Sequence, residues 1–358
     1  MKRQIRKLIP NQFIQFYKVI RESSNRKFIT LFASSRFFSS VYYFLFSSQF
    51  RREHQAALQG RLKYYRSLND IGQSSALLRR NTHRLEKGLI MQPRHPVFAE
   101  AYILETVICY HKAIMTPGLC IEEKKWATDV LKEYFSVVIH TKVIAKAKAL
   151  FEAAIESEDL KASAVSQQSI PRDRSSYPEL DIATEQLEAL FLRRRSVRWY
   201  LPKPVPQKKI IEAVNLASLA PSACNRQPYE FYVVNDMQRA PIIAKCAMGT
   251  TGFADNLPCI VVVVGNLDAY PAERDRHCIY IDGSLAAMQF MLAIETLGLA
   301  TCPINWPDIE ARERQLAKEL SLSVDQRPVM LIAVGYADPD GGVPFSQKKN
   351  NTLLIRNV

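Results

Sequence analysis

The chain reads as an α+β fold preceded by a helical region, and three observations lead there. β-Branched apolar runs of strand length stand at Phe231–Val234, Cys259–Val264 and Val329–Val334. Helical periodicity separates these runs. Before residue 157 the apolar spacing is that of helices alone.

Taken in order, residues 1–66 are expected to be helical, aromatic and basic. They hold fourteen lysines and arginines against Glu22 and Glu53. Nearly all of the chain's net charge of +13 therefore lies here. Two readings stay open for this segment. It packs its aromatic face on the rest of the protein with its charges solvated, or it lies on an anionic membrane surface. The clean apolar run Phe37–Phe50 is 14 residues long, short of the ~20 that a spanning helix needs. It lies too far from the terminus, without a small-residue cleavage pattern, for a signal peptide.

Helices continue over 67–155, with apolar residues three and four apart at Glu100–Ile108 and Trp126–Ile139 and a break at Pro117-Gly118. Residues 157–182 turn polar and rich in Ser and Pro and read as a linker. The expected organisation is thus 1–156 helical, 157–182 linker, 183–358 α+β domain.

In that domain Glu185–Leu192 is a short helix leading into Arg193-Arg194-Arg195-Ser196-Val197-Arg198. Gln207–Leu219 is an amphipathic helix with Ile210, Ile211, Val214 and Ala217 on one face. Cys259–Val264 fits a strand buried on both faces. Ser284–Leu297 is nearly apolar all round, so it is buried in the domain or in a subunit interface.

Several chemistries are disfavoured. The seven cysteines are odd in number and widely spaced, without a Cys-x-x-Cys pair, and the six histidines show no metal-ligand spacing. Reduced thiols in a cytoplasmic protein, with no metal, fit this pattern. With 12 glycines and no Gly-x-Gly-x-x-Gly or Walker loop, a phosphorylated cofactor has to be held by side-chain cations. Arg194, Arg195 and Arg198 supply guanidinium forks for phosphate oxygens, and Ser196 a hydroxyl. No nucleic-acid-binding module is recognised.

The order of motifs carries more information. The arginine cluster is followed by a proline-bounded turn, a helix, Ala220-Pro221-Ser222-Ala223-Cys224-Asn225, Gln227-Pro228-Tyr229 and a strand. Further on come Asp282-Gly283-Ser284, Leu297–Asn305 and Pro344–Lys349. This succession, over about residues 190–358, resembles the FMN-dependent nitroreductase family.

The resemblance implies a mostly antiparallel central sheet flanked by helices, and a homodimer with FMN at its interface. Arg194, Arg195, Ser196 and Arg198 would hold the phosphate end, joined by Lys348. Pro221, Ser222, Ala223 and Asn225 would reach the flavin of the partner subunit. Pro303, Ile304 and Asn305 would line the ring, with a backbone N–H near N5. The region between Met248 and Cys259 is short, which leaves Asn256 a weak candidate for a mid-chain contact. The implied function is an NAD(P)H-dependent flavoprotein oxidoreductase acting by a ping-pong mechanism on a nitroaromatic or quinone-like acceptor. No protein nucleophile is required, because flavin carries the hydride chemistry. Alternatives are a flavin tailoring enzyme acting on a cell-envelope or polysaccharide precursor, and a non-catalytic membrane adaptor with a vestigial flavin fold.

Cys224 and Cys302 fall near the flavin on this reading and are best taken as small packing residues. The string Asn81–Leu89, which resembles one in longer nitroreductase-like proteins with a helical extension, is either an ion-paired helix end or a substrate-facing cluster. In the second case His83 would donate a proton, and Arg84 or Lys87 would hold an anion.

Overall fold

A computed structural model describes residues 28–156 and 168–358. Among the described residues two compact units emerge, one of residues 28–54 with 308–310, the other of residues 55–156, 168–307 and 311–358.

In the first unit, residues 28–32 are helical and α1 spans Arg36–Leu45. Ser35 caps α1 by accepting the Phe38 N–H. No α1 side chain is buried. The start of the chain, residues 1–27, lies outside the described residues, as do 157–167 of the expected linker.

The second unit begins within α2, Arg51–Ser67, and continues through α3 (Ala76–Leu89), α4 (Ile103–Ile114), α5 (Ile121–Val137) and α6 (Lys142–Glu156). These last four close on one core containing Leu78, Leu85, Val107, Tyr110, Leu131, Tyr134 and Ile144. The described part of the polar stretch, 168–182, is largely exposed, and Asp129 on α5 accepts its Ser169 N–H at 2.8 Å. Glycine is needed at two close approaches. A Cβ on Gly60 would come within 2.5 Å of Leu267 Cβ, and one on Gly88 within 2.2 Å of the Phe98 ring. Gly88 therefore serves packing inside α3 and does not terminate it.

The α+β part orders its strands β1-β2-β4-β3, every pair antiparallel. β1 is Tyr229–Val234, β2 Cys259–Asn266, β3 Ala300–Asn305 and β4 Gln326–Gly335. β2 is buried on both sides, as expected. Cys259, Val261 and Val263 face a core shared with α8 (Gln207–Ala217) and α10 (Cys278–Thr296). Ile260, Val262 and Val264 face the opposite core, which includes Ile243 and Ala244 of α9 (Ala240–Cys246).

The elements depart from the sequence reading in two places. α10 starts at Cys278, ahead of the expected Ser284. Leu297–Asn305 contains strand β3, which the apolar run alone did not reveal. Pro303 obscured it, yet β3 is an edge strand, where a missing ladder N–H is tolerated. Among the described residues one helical stretch, Glu273–Thr296, is long and apolar enough to cross a membrane. Half of it is buried inside the fold, as befits a core helix.

Candidate active site

Helix α7, Thr184–Arg193, delivers the arginine cluster to the beginning of β3. There Ser196 bridges Thr301 in parallel, and the Val197 N–H donates to the Thr301 carbonyl at 3.0 Å. The cations then divide their tasks. Arg193 pairs with Glu295 near the end of α10 at 3.0 Å. Arg195 turns away and donates to the Pro344 and Phe345 carbonyls. Arg194 and Arg198 both lie near the buried Cys302, whose thiol is pushed up by burial against their opposing pull. Arg198 also stacks over Phe253 at 5.8 Å. Asn256 is a clamp on this segment: it accepts the Tyr200 N–H at 2.9 Å and donates to the Arg198 and Phe253 carbonyls at 2.8 and 2.7 Å.

Two half-buried guanidiniums flanking a serine beside the start of β3 suit a phosphate monoester. Glu295, the acid beside them, is engaged by Arg193. The Thr301 hydroxyl is buried without a hydrogen-bond partner, leaving one more polar group at this point. Beyond the Ser196 bridge, Pro303, Ile304 and Asn305 pair on one side only, with β4. Pro303 has no N–H, so the free edge can offer a backbone donor to a planar ligand only from Ile304 or Asn305. The donor set therefore fits FMN at its phosphate end. Lys348 is exposed and sits three residues beyond the backbone that Arg195 holds.

The second cluster is the loop Pro221–Gln227. Cys224, Asn225 and Gln227 adopt φ of 54°, 49° and 51°. Left-handed backbone at non-glycine residues costs on the order of 1 kcal/mol each and persists only where its surroundings hold it. Here Asp282, buried near the start of α10, accepts from Ser222 Oγ at 2.7 Å and from the Ala223 N–H at 2.9 Å. Ser222 Oγ in turn accepts the Gln227 N–H at 2.8 Å. Arg79 on α3 completes the clasp, donating to the Asn225 carbonyl at 2.8 Å and to Gln227 Oε1 at 3.0 Å. The sequence reading did not single out Arg79. Its only trace there is an Arg-Arg pair on an amphipathic helix.

The chain brings Arg194, Ser196 and Arg198 to the start of the strand that carries Pro303–Asn305, but it sets the Ser222 loop apart from them. Asp282 and Glu295 lie on the same helix, about 20 Å apart at 1.5 Å per residue. In the Asn81–Leu89 string, His83 Nδ1 lies 3.4 Å from Glu86 Oε2, and Trp126 Nε1 donates to Glu86 Oε1 at 2.8 Å. Arg84 stacks on Tyr102 at 3.5 Å and donates to Asn81 Oδ1 at 3.3 Å. An open groove of ≈ 670 Å³ between α8 and β1, lined by Ile210, Val214, Phe231 and Val233 among others, contains none of the arginines. Gln207, Asn215, Ser218, Gln227 and Glu230 also line it, with no cation among them, so it offers no phosphate site.

The sequence model of the Nitroreductase family matches residues 192–252 and 244–336. The match spans residues 192–336, less than half of the chain, and that part is similar to the family. The matched residues contain both the arginine cluster up to Arg198 and the Ser222 loop, while Lys348 lies beyond them. The Bacillus subtilis (strain 168) protein YdgI, assigned as an NAD(P)H nitroreductase, is 25% identical over 197 residues, covering 45% of this chain and 92% of its own. Human iodotyrosine deiodinase 1 is 23% identical over 230 residues, covering 56% of this chain and 78% of its own. Among solved structures, an FMN-dependent nitroreductase from Clostridium difficile R20291 shares 24% identity with a TM-score of 0.38, over 44% of this chain and 91% of that one.

Proposed function

We propose that this protein is an FMN-dependent oxidoreductase that carries electrons from NAD(P)H to an organic acceptor of nitroaromatic or quinone type by a ping-pong mechanism. The observation that supports this most is the pair Arg194 and Arg198 around Ser196 beside the start of β3, within the residues similar to the nitroreductase family. Bound FMN would supply the two-electron chemistry. The chain's own residues bind and orient. Arg194, Ser196 and Arg198 neutralise the phosphate, with Lys348 as a further cation, and the β3 edge lines the ring. Arg195 acts indirectly, by fixing the segment that carries Lys348.

The working form in this reading is a homodimer. On α10, Ile281, Leu285 and Met288 form a stripe at four- and three-residue spacing, 58, 43 and 40% exposed. An apolar stripe on a core helix is the mark of an interface. A second copy would bring its Ser222 loop to this chain's arginines, so each flavin site draws on both subunits.

The decisive experiment is the double variant Arg194→Ala, Arg198→Ala. The expected product is soluble and colourless, where the parent is yellow. FMN retained in full by the variant overturns the assignment. Because the relatives include iodotyrosine deiodinase, the acceptor class is tested with a panel of nitroaromatic, quinone and halogenated phenol. Turnover of the halogenated phenol alone would replace the proposed acceptor.

A further inference from the structure

The first compact unit presents an exposed apolar face. Residues 28–32 and α1 fold against each other through rings: Phe28–Phe32 at 4.6 Å, Phe28–Phe46 at 5.1 Å, Phe32–Phe46 at 5.5 Å and Phe32–Tyr42 at 5.7 Å between centroids. That ring cluster uses one side of α1. The other side is left bare. Phe37 is 71% exposed, Phe44 76% and Leu45 59%. Phe37 and Phe44 are seven residues apart, which places them on one helix face, and Leu31 is exposed as well.

Charge says what covers this face. Between Ser23 and Arg52 the chain has no Asp or Glu, while it has Arg26, Lys27, Arg36, Arg51 and Arg52. Arg36 adjoins Phe37, and Arg51 donates to the Phe44 carbonyl at 3.4 Å, so a cation stands beside each of the two bare rings. A protein partner matching it would need an apolar patch ringed by acids. A bilayer of anionic phospholipid has both properties everywhere on its surface. Spanning is excluded for α1 itself, since ten residues reach only ~15 Å against a hydrocarbon layer of ~30 Å.

We infer that residues 28–52 form an interfacial anchor, with Phe37, Phe44 and Leu45 entering the acyl boundary of an anionic membrane and Arg36 and Arg51 meeting its headgroups. The anchor is independent of the flavin reading, and it would hold an electron-transfer enzyme next to lipid-soluble acceptors.

The test is co-sedimentation of the full chain with vesicles of phosphatidylglycerol and phosphatidylcholine, against phosphatidylcholine alone. Binding is expected only to the anionic vesicles and should weaken as salt rises. The variant Phe37→Ser, Phe44→Ser should bind them ~100-fold or more weakly, from the loss of two buried rings. Arg36→Glu, Arg51→Glu should abolish the preference for anionic lipid. Both variants should keep the circular dichroism of the parent. Absence of binding to anionic vesicles, or equal binding by the Phe variant, overturns the inference. So does a Phe variant whose change is confined to oligomeric state in sedimentation equilibrium, which would make the face a contact between copies.

Discussion

Arg79 on helix α3 donates its Nε proton to the backbone carbonyl of Asn225, 2.8 Å away in the loop proposed to reach the flavin. The same guanidinium bonds Gln227 Oε1 and Glu123 Oε2, each at 3.0 Å, and lies over the Trp126 ring. The helical region is therefore part of the site's supporting structure. Glu123, 3% exposed, is itself held by the Ser75 N–H at 2.8 Å and Ser74 Oγ at 2.6 Å, so the strut is anchored at both ends.

Arg79→Ala should release the loop without unfolding the protein, since Glu123 keeps two donors. The loop's left-handed residues then lose their outer restraint. FMN affinity is expected to fall by ~10- to 100-fold, the equivalent of one or two charged hydrogen bonds. Arg79→Lys, which has no planar fork, should recover only part of it. Fluorescence titration of apoprotein with FMN measures this. An unchanged dissociation constant would separate the strut from the flavin loop.

Helix α2 is tied down by Lys63, whose Nζ lies 2.7 Å from Asp325 Oδ1 and 2.8 Å from Ser323 Oγ. Asp325 is 1% exposed, while Lys63 remains 41% exposed. Lys63→Ala should cost about 2–3 kcal/mol, below the full penalty for a buried pair because water can reach the vacated position. Urea unfolding of the parent and of Lys63→Ala compares them. A loss under about 0.5 kcal/mol would class the pair with ordinary surface ion pairs.

Asp268 gives a pH signature. Burial raises its carboxyl above the usual 3.8, repulsion from Asp325 adds to the rise, and Lys63 opposes it. The folded state then binds this proton more tightly than the unfolded state does. Stability from this residue declines as pH rises from 3.8 through the raised value, then levels off. Asp268→Asn should remove that decline, so its advantage over the parent grows across the window and is constant on either side. Melting temperatures of both proteins over a pH series test the sign. A parallel pair of curves would show that Asp268 does not titrate in that window.

Much of the α+β half was legible before the structure. The β-branched run at Cys259–Val264 announced a doubly covered strand, because both faces need apolar side chains. The scarcity of glycine pointed to side-chain cations, and the structure carries Arg194 and Arg198 to the beginning of β3, where their anion site is a proposal. β3 was hidden by Pro303, whose acceptability depends on an edge position that only topology assigns. Arg79 was hidden because its meaning lies in a contact with residues about 146 positions away. The exposed side of α1 was half legible. Aromatic and basic content predicted an amphipathic segment, but only the fold decides which rings are spent on each other and which remain bare.

The distance between the two ends of α10 has a genetic corollary. If the proposed homodimer forms, a lesion at Arg194 and Arg198 would damage the pocket that a subunit anchors, whereas one at Arg79 would damage the pocket of its neighbour. Mixed dimers made from the two crippled proteins would concentrate both defects in one pocket and leave the other intact. Co-expression with random pairing, which makes about half of the dimers mixed, should then restore about a quarter of the parental flavin to a pair of chains that, each alone, hold little.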